Sequence, residues 1–285
     1  MVATIREYLT SIGQAVDSIK TLAEDNGWTI DRHDAGSRCH LHKGTLHFEV
    51  YYYDNRKLGI VGCTGYASGS SATAQPGTSA ARPGWILNSP INANNEGLSP
   101  QVRYVASGNS IYCFFGYAQS TGYGMNTRAM AFGEITDKIG NWVGGQFVCG
   151  TYKDTNSYSF DFPLFSNHTA TSDVHLAVML DGAWVNPGSA GTFVGRYLSC
   201  PHLRSKMPNI YNAGILPVPL PLFRQNVSDA GLLHPVGFAP GLRVISGGDT
   251  YIDGDTIMIG ADTYLLVQSR QGASNKYAEY AVKIS

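Results

Sequence analysis

At Asn26-Gly27 the spacing of apolar residues switches from a period near 3.6 to a period of 2. This switch restricts the chain to folds that pack a helix against β-strands. Before it, Ile5, Leu9, Ile12, Val16, Ile19 and Leu22 fall three or four residues apart, which puts them on one face of a helix. Arg6, Glu7, Gln14, Asp17, Lys20, Glu24 and Asp25 occupy the other face. Thr4 with Glu7 three residues on has the form of a capping box, so the helix is expected to start there. Gly27 supplies the left-handed residue that ends it. At 1.5 Å per residue such a helix is roughly 30 Å long. Its stripe needs a partner, either the sheet that follows or the same helix of a second subunit. Ile5, Leu9, Ile12, Val16 and Ile19 are therefore interface candidates.

After Gly27, Trp28, Ile30 and Arg32 alternate with Thr29 and Asp31, and Asp34-Ala35-Gly36 signals a turn. Cys39 and Leu41 then share one face, with Arg38, His40 and His42 on the other. A two-residue turn at Lys43-Gly44 leads to a return strand. It carries Leu46, Phe48, Val50 and Tyr52 inward and His47, Glu49, Tyr51 and Tyr53 outward. This turn pairs His42 with Thr45, His40 with His47 and Arg38 with Glu49.

Residues 1–64 thus read as a helix-plus-hairpin unit, and 65–101, rich in Gly, Ser and Pro, as a long loop or arm interrupted by Trp85. That arm either crosses a neighbouring molecule, the favoured reading, or is pinned back by Trp85. Residues 102–285 read as antiparallel β, and one continuous domain over 1–285 is the alternative. Strands are expected at 102–106, 109–118, 127–135, 146–152, 174–184 and 192–200. A closing meander runs 256–259, 263–268 and 277–284, turning at Asp253-Gly254 and Gly260-Ala261-Asp262. Pro217, Pro219 and Pro221 occupy every second position of a strand-like segment. That spacing suits an edge strand whose outward positions need no N–H, or a polyproline-II arm, and makes these prolines interface candidates along with Trp85. The fold class is α+β: mostly antiparallel sheets, sandwich- or barrel-like, with an N-terminal amphipathic helix and long loops.

The surface must be covered with few charges. Lys and Arg number 20, Asp and Glu 21, and charged residues make up 14% of the chain, against about 25% in typical soluble proteins. A net charge of −1 offers no basic surface for nucleic acid. No apolar run reaches the ~20 residues of a membrane span, and the N-terminus reads as a helix rather than a secretory leader. Cys39, Cys63, Cys113, Cys149 and Cys200 are odd in number and widely spaced, which reads as buried, reduced thiols of a cytoplasmic product.

His40, His42, His47 and Glu49 share the polar face of the hairpin and are metal-ligand types. Neighbours two apart on one strand are ~7 Å from each other, so an ordinary polar sheet face is the favoured reading, with no cofactor and no metal expected. Asp249, Asp253, Asp255 and Asp262 sit at turns, where Asp is common without calcium. The sequence has no nucleophile elbow, zincin motif or phosphate-binding loop, and no catalytic residues are assigned. Aromatic residues on strands are read as core and interface packing ahead of sugar stacking.

Several segments carry a likeness. The opening apolar stripe, Asn26-Gly27-Trp28-Thr29, Gly36-Ser37-Arg38 and Leu41-His42-Lys43-Gly44 come first. Thr64-Gly65-Tyr66-Ala67-Ser68-Gly69-Ser70, Ala131-Phe132-Gly133-Glu134-Ile135 and Trp142-Val143-Gly144-Gly145-Gln146-Phe147 follow, and Ile259-Gly260-Ala261-Asp262-Thr263-Tyr264 closes the series. In this order they resemble virion structural proteins of tailed bacteriophages. The resemblance implies a tail or baseplate component assembled in the host bacterial cytoplasm, non-enzymatic, homo-oligomeric and in contact with other tail proteins. A tail protein that binds a host surface glycan and a polysaccharide-degrading tail enzyme are the alternative readings.

Overall fold

The computed structural model describes residues 3–54, 57–79, 84–86, 101–116, 128–150, 176–185, 216–225, 233–246, 254–271 and 276–285. These residues form mostly antiparallel sheets and one α-helix. In chain order the elements are β1 (Thr4–Tyr8), α1 (Ile12–Asp25), β2 (Thr29–Asp34), β3 (Arg38–Lys43), β4 (Leu46–Asp54), β5 (Lys57–Cys63) and β6 (Gly84–Ile86). Next come β7 (Gln101–Ser107), β8 (Ser110–Gly116), β9 (Arg128–Glu134), β10 (Gly144–Gly150), β11 (Leu176–Leu180) and β12 (Ala183–Val185). The last are β13 (Leu216–Gln225), β14 (Leu233–Ser246), β15 (Thr256–Ile259), β16 (Asp262–Gln271) and β17 (Lys276–Lys283). They make a seven-stranded sheet β1-β7-β8-β9-β10-β11-β12 and two five-stranded sheets, β2-β3-β4-β5-β6 and β13-β14-β17-β16-β15.

The helix is shorter than its sequence pattern. Thr4–Tyr8 extends along β7, with Thr4 opposite Val105 and Tyr8 opposite Gln101. A β-branched and aromatic segment beside an open strand edge gains a full ladder of hydrogen bonds by extending, which outweighs its helical spacing. The cap is Ser11, whose side chain accepts from Gln14 N–H at 3.2 Å. The Gln14 side chain reaches back to Thr10 N–H at 2.9 Å, so Ser-x-x-Gln at 11–14 is the operative capping signal, about two turns beyond the Thr4/Glu7 pair. The C-terminus is as expected. Gly27 at φ +79° lets Trp28 N–H bond Ala23 O and Gly27 N–H bond Glu24 O, the paired bonds of a Schellman end.

Alternation along β7 to β10 sends side chains to two cores. Tyr104, Ile111, Cys113, Met130, Phe132 and Val148 join one core with the α1 stripe and with Cys39, Leu41, Phe48, Val50, Leu58 and Ile60 of the second sheet. Val105, Tyr112, Phe114, Ala131, Phe147 and Cys149 join the other with Leu222, Leu242, Leu265, Val267 and Val282 of the third. The seven-stranded sheet is thus covered on both faces, which is why its strands read as nearly continuous apolar runs. Leu9, Ile12, Val16, Ile19 and Leu22 are buried in the first core and Ile5 packs at its margin. The stripe is used inside its own chain and is not open to a second subunit.

Three local expectations are corrected. The hairpin pairs His42 with His47, His40 with Glu49 and Arg38 with Tyr51. The turn is Gly44-Thr45, because Gly44, at φ +62°, takes the first central position that demands a positive φ. The shift moves both strands by whole pairs, so side chains up to Tyr51 keep their faces, while Tyr52, expected inward, is exposed beside a register shift in the β4–β5 ladder. Residues 174–184, read as one strand, contain the hairpin β11–β12. Asp181 (φ +48°) and Gly182 (φ +84°) make an Asp-Gly turn there. The arm after Thr64 folds back on its own sheet up to Ser79: Thr64 N–H bonds Pro76 O and Ser79 N–H bonds Gly62 O, each at 2.8 Å.

Elsewhere the strand reading holds within three residues at each end for β7 to β10 and β15 to β17. β13 is an outer strand, and its Pro219 is exposed. β6 places Trp85 opposite Leu58 in the backbone ladder. The Trp85 indole, the rings of Pro217 and Pro221, Cys200, Asp249, Asp253 and the expected strand at 192–200 lie outside the described residues.

Candidate metal centre

Strict alternation along β2 breaks after position 31. Ile30 pairs with Leu41 and Arg32 with His40, leaving Asp31 as the extra residue of a β-bulge. Residues directly opposite across a ladder share a face, so Arg32 lies on the His40 side. The bulge therefore puts Asp31 and Arg32 together on that side, while Ile30 packs at the core and His33 turns to α1. Bulges re-aim side chains in this way. His33 Nε2 lies 2.7 Å from Asp17 Oδ1, which also accepts Gly36 N–H at 2.8 Å.

His40 and Glu49, directly paired across β3 and β4, are both fully buried. What buries them is the folded-back arm. Tyr66 lies 4.8 Å from the His40 ring, centroid to centroid, and Ser70 O accepts Arg38 Nη1 at 2.9 Å. Tyr51, Val61 and Cys63 pack with Ala72 of the arm. The polar face of the hairpin is thus an interior, where an ionised carboxylate must be paired. Glu49 meets that requirement twice: Oε1 accepts Arg38 Nε at 2.5 Å and Oε2 lies 2.8 Å from His40 Nδ1.

With Nδ1 donating to Glu49, the His40 lone pair is on Nε2. That atom faces His47 Nδ1 at 3.4 Å and Asp31 Oδ2 at 3.7 Å. Asp31 Oδ2 in turn lies 2.7 Å from His42 Nδ1, and the His42 and His47 rings stack at 5.0 Å. Burial, with the neighbouring His40 and His42, holds the His47 imidazole below the usual histidine range, in its neutral, lone-pair-bearing form. The ligand-type atoms of Asp31, His40 and His47 all lie within 4.8 Å of one another.

Of the four residues singled out on the hairpin, His40 and His47 converge, and Glu49 and His42 each orient another member of the cluster. The ~7 Å separation along one strand does not apply, because the converging groups come from β2, β3 and β4. Asp31 was the residue missed. Its place on the polar side of the strand next to His40 and His42 was the available signal. Asp262 pairs with Lys283 at 2.7 Å and Asp255 is exposed, so these two turn acids do not join a common site. Cys39, Cys63, Cys113 and Cys149 are buried free thiols, and burial pushes Cys39 and Cys63 up to about 12.

No protein-family model matches the chain, and no curated protein matches it. No helix among the described residues is long and apolar enough to cross a membrane.

Proposed function

We propose that the chain is a structural, non-enzymatic subunit of a tailed-bacteriophage virion. In this reading it belongs to the tail or baseplate, assembles in the host cytoplasm, and works through contacts with copies of itself and with other tail proteins. Its sheets are joined by two apolar cores, one on each face of the seven-stranded sheet. The ordered series of short segments resembling such proteins supports the reading, and one structural observation supports it further: several of the few charges are spent on partners inside the fold. Arg38 and Glu49 lie beneath the arm, Arg103 is buried, and Lys43 Nζ is spent on the carbonyls of Asn26 and Gly108 at 3.1 Å each. Tyr53, Val143 and Met258 are left 52%, 71% and 74% exposed. A surface poor in charge, on a chain of net charge −1, favours association over life as a solitary soluble protein.

Size-exclusion chromatography with light scattering is expected to return a stable oligomer, and mass spectrometry to find the protein in purified virions. A monomer at high concentration, together with absence from virions, overturns the assignment. A second reading, a tail protein that binds host surface glycan, draws on Tyr52 and Tyr53, adjacent and exposed at 41% and 52% on β4. Aromatic faces of this kind stack on sugar rings. Loss of glycan-array binding on Tyr53→Ala is its expected signature.

A further inference from the structure

We propose that Asp31, His40 and His47 form a binding site for one divalent transition-metal ion, of which Zn²⁺ is the best match. The inference rests on β2, β3, β4 and the arm above them, and is independent of the assembly reading. Metal–nitrogen bonds of about 2.0–2.1 Å at tetrahedral angles set ligand atoms about 3.3 Å apart. His40 Nε2 and His47 Nδ1 are 3.4 Å apart, and His40 Nε2 and Asp31 Oδ2 are 3.7 Å apart. The widest separation in the set, at most 4.8 Å, narrows by rotation of the half-buried Asp31 carboxylate. Two imidazole nitrogens and a carboxylate are a donor set for zinc, cobalt or nickel and too nitrogen-rich for calcium or magnesium.

The surroundings are those of a metal site. A ligating histidine almost always gives its other ring nitrogen to a carboxylate, which fixes its tautomer and aims its lone pair. Glu49 does this for His40 from a fully buried position and is itself clamped by Arg38. His42 does the equivalent for the Asp31 carboxylate. The bulge at Asp31 and the arm over His40 both act on this spot, one delivering a ligand and the other reducing solvent access. Three protein ligands leave a fourth position for water or for a group from another molecule. A metal here ties together β2, β3 and β4, which otherwise rely on ladder bonds and the core.

The test uses the full chain, stripped with a chelator and titrated with Zn²⁺ by calorimetry and with Co²⁺ by visible absorption. One equivalent is expected to bind, with d–d bands of four-coordinate Co²⁺ and a rise in melting temperature on Zn²⁺ addition. His47→Gln and Asp31→Asn, both at partly exposed side chains, should weaken binding at least tenfold and abolish the bands. Glu49→Gln should weaken it about 10–100-fold, and His33→Gln, on the same strand as Asp31 but bonded to Asp17, should leave it unchanged. Absence of one-equivalent uptake by the wild type overturns the proposal. So does unchanged affinity in both His47→Gln and Asp31→Asn while their circular dichroism matches the wild type.

Discussion

At Gly62 the absence of a side chain is structural. A Cβ there would sit 2.0 Å from the ring of Trp184, whose indole N–H donates to Gly77 O at 2.7 Å. One aromatic side chain from β12 therefore spans β5 and the arm that roofs the histidines, and it needs a bare backbone beneath it. Gly62→Ala is expected to lower unfolding free energy by about 1–3 kcal/mol, the usual cost of overpacking. In a Trp184→Ala background the same change should cost much less, and a double-mutant cycle by urea denaturation measures the difference. A cycle with no coupling would contradict this packing. Gly59 has the same relation to its cross-strand partner Tyr51, whose ring a Cβ would meet at 2.3 Å. Neither requirement is visible in sequence, where both residues look like ordinary glycines within a strand.

The elements differ in how openly they announce themselves. The closing meander β15–β16–β17 was legible because its strands alternate and its turns carry glycine at positive φ, Gly254 at +99° and Gly260 at +65°. The helix end was legible for the same reason. Its start was ambiguous, because Thr-x-x-Glu at 4–7 and Ser-x-x-Gln at 11–14 are equally good capping signals in isolation. What separates them is β7, about a hundred residues away, which takes Thr4–Tyr8 as a strand. Ser11→Ala should therefore cost about 1 kcal/mol of stability and Ser11→Asn far less, measured by thermal unfolding. If Ser11→Ala is neutral, the helix is not capped at this position.

The interior of the molecule buries thiols and phenols in their neutral form, and this sets the alkaline limit of stability. Cys39 and Cys63 are raised from 9.0 to about 12 by burial, and burial raises Cys113, Tyr104 and Tyr112 well above their usual ranges. Their folded values exceed their unfolded ones, so their contribution is complete below the unfolded value and is lost as pH rises through the folded one. Below pH 9 the thiols carry their proton in both states and stability is flat in this respect. From about pH 9 upward the unfolded chain ionises and the folded chain does not. Each such thiol then lowers stability by about 1.4 kcal/mol per pH unit. The urea midpoint should fall steeply between pH 9 and 11, and Cys39, Cys63, Cys113 and Cys149 should resist alkylation at pH 8 until the protein unfolds. A midpoint that stays level to pH 10.5 would contradict the burial of these thiols.

Periodicity and turn chemistry act over a few residues, and what they govern could be read directly. The helix-to-strand switch at Gly27, the faces of the β3–β4 hairpin, the strands around Tyr112 and Phe132, and the final meander all belong here. Three-dimensional packing settled what depends on distant partners. It turned Thr4–Tyr8 into a strand, laid the arm after Thr64 over the hairpin, and so made a polar face into an interior holding His40 and Glu49. It also opened a bulge at Asp31 that turned Arg32 to the polar side, and brought the Asp31 carboxylate together with two histidines from other strands. The physical reason is common to all of these. Burial and convergence are properties of the space between elements, and a residue's neighbours along the chain carry no record of which segment will cover it.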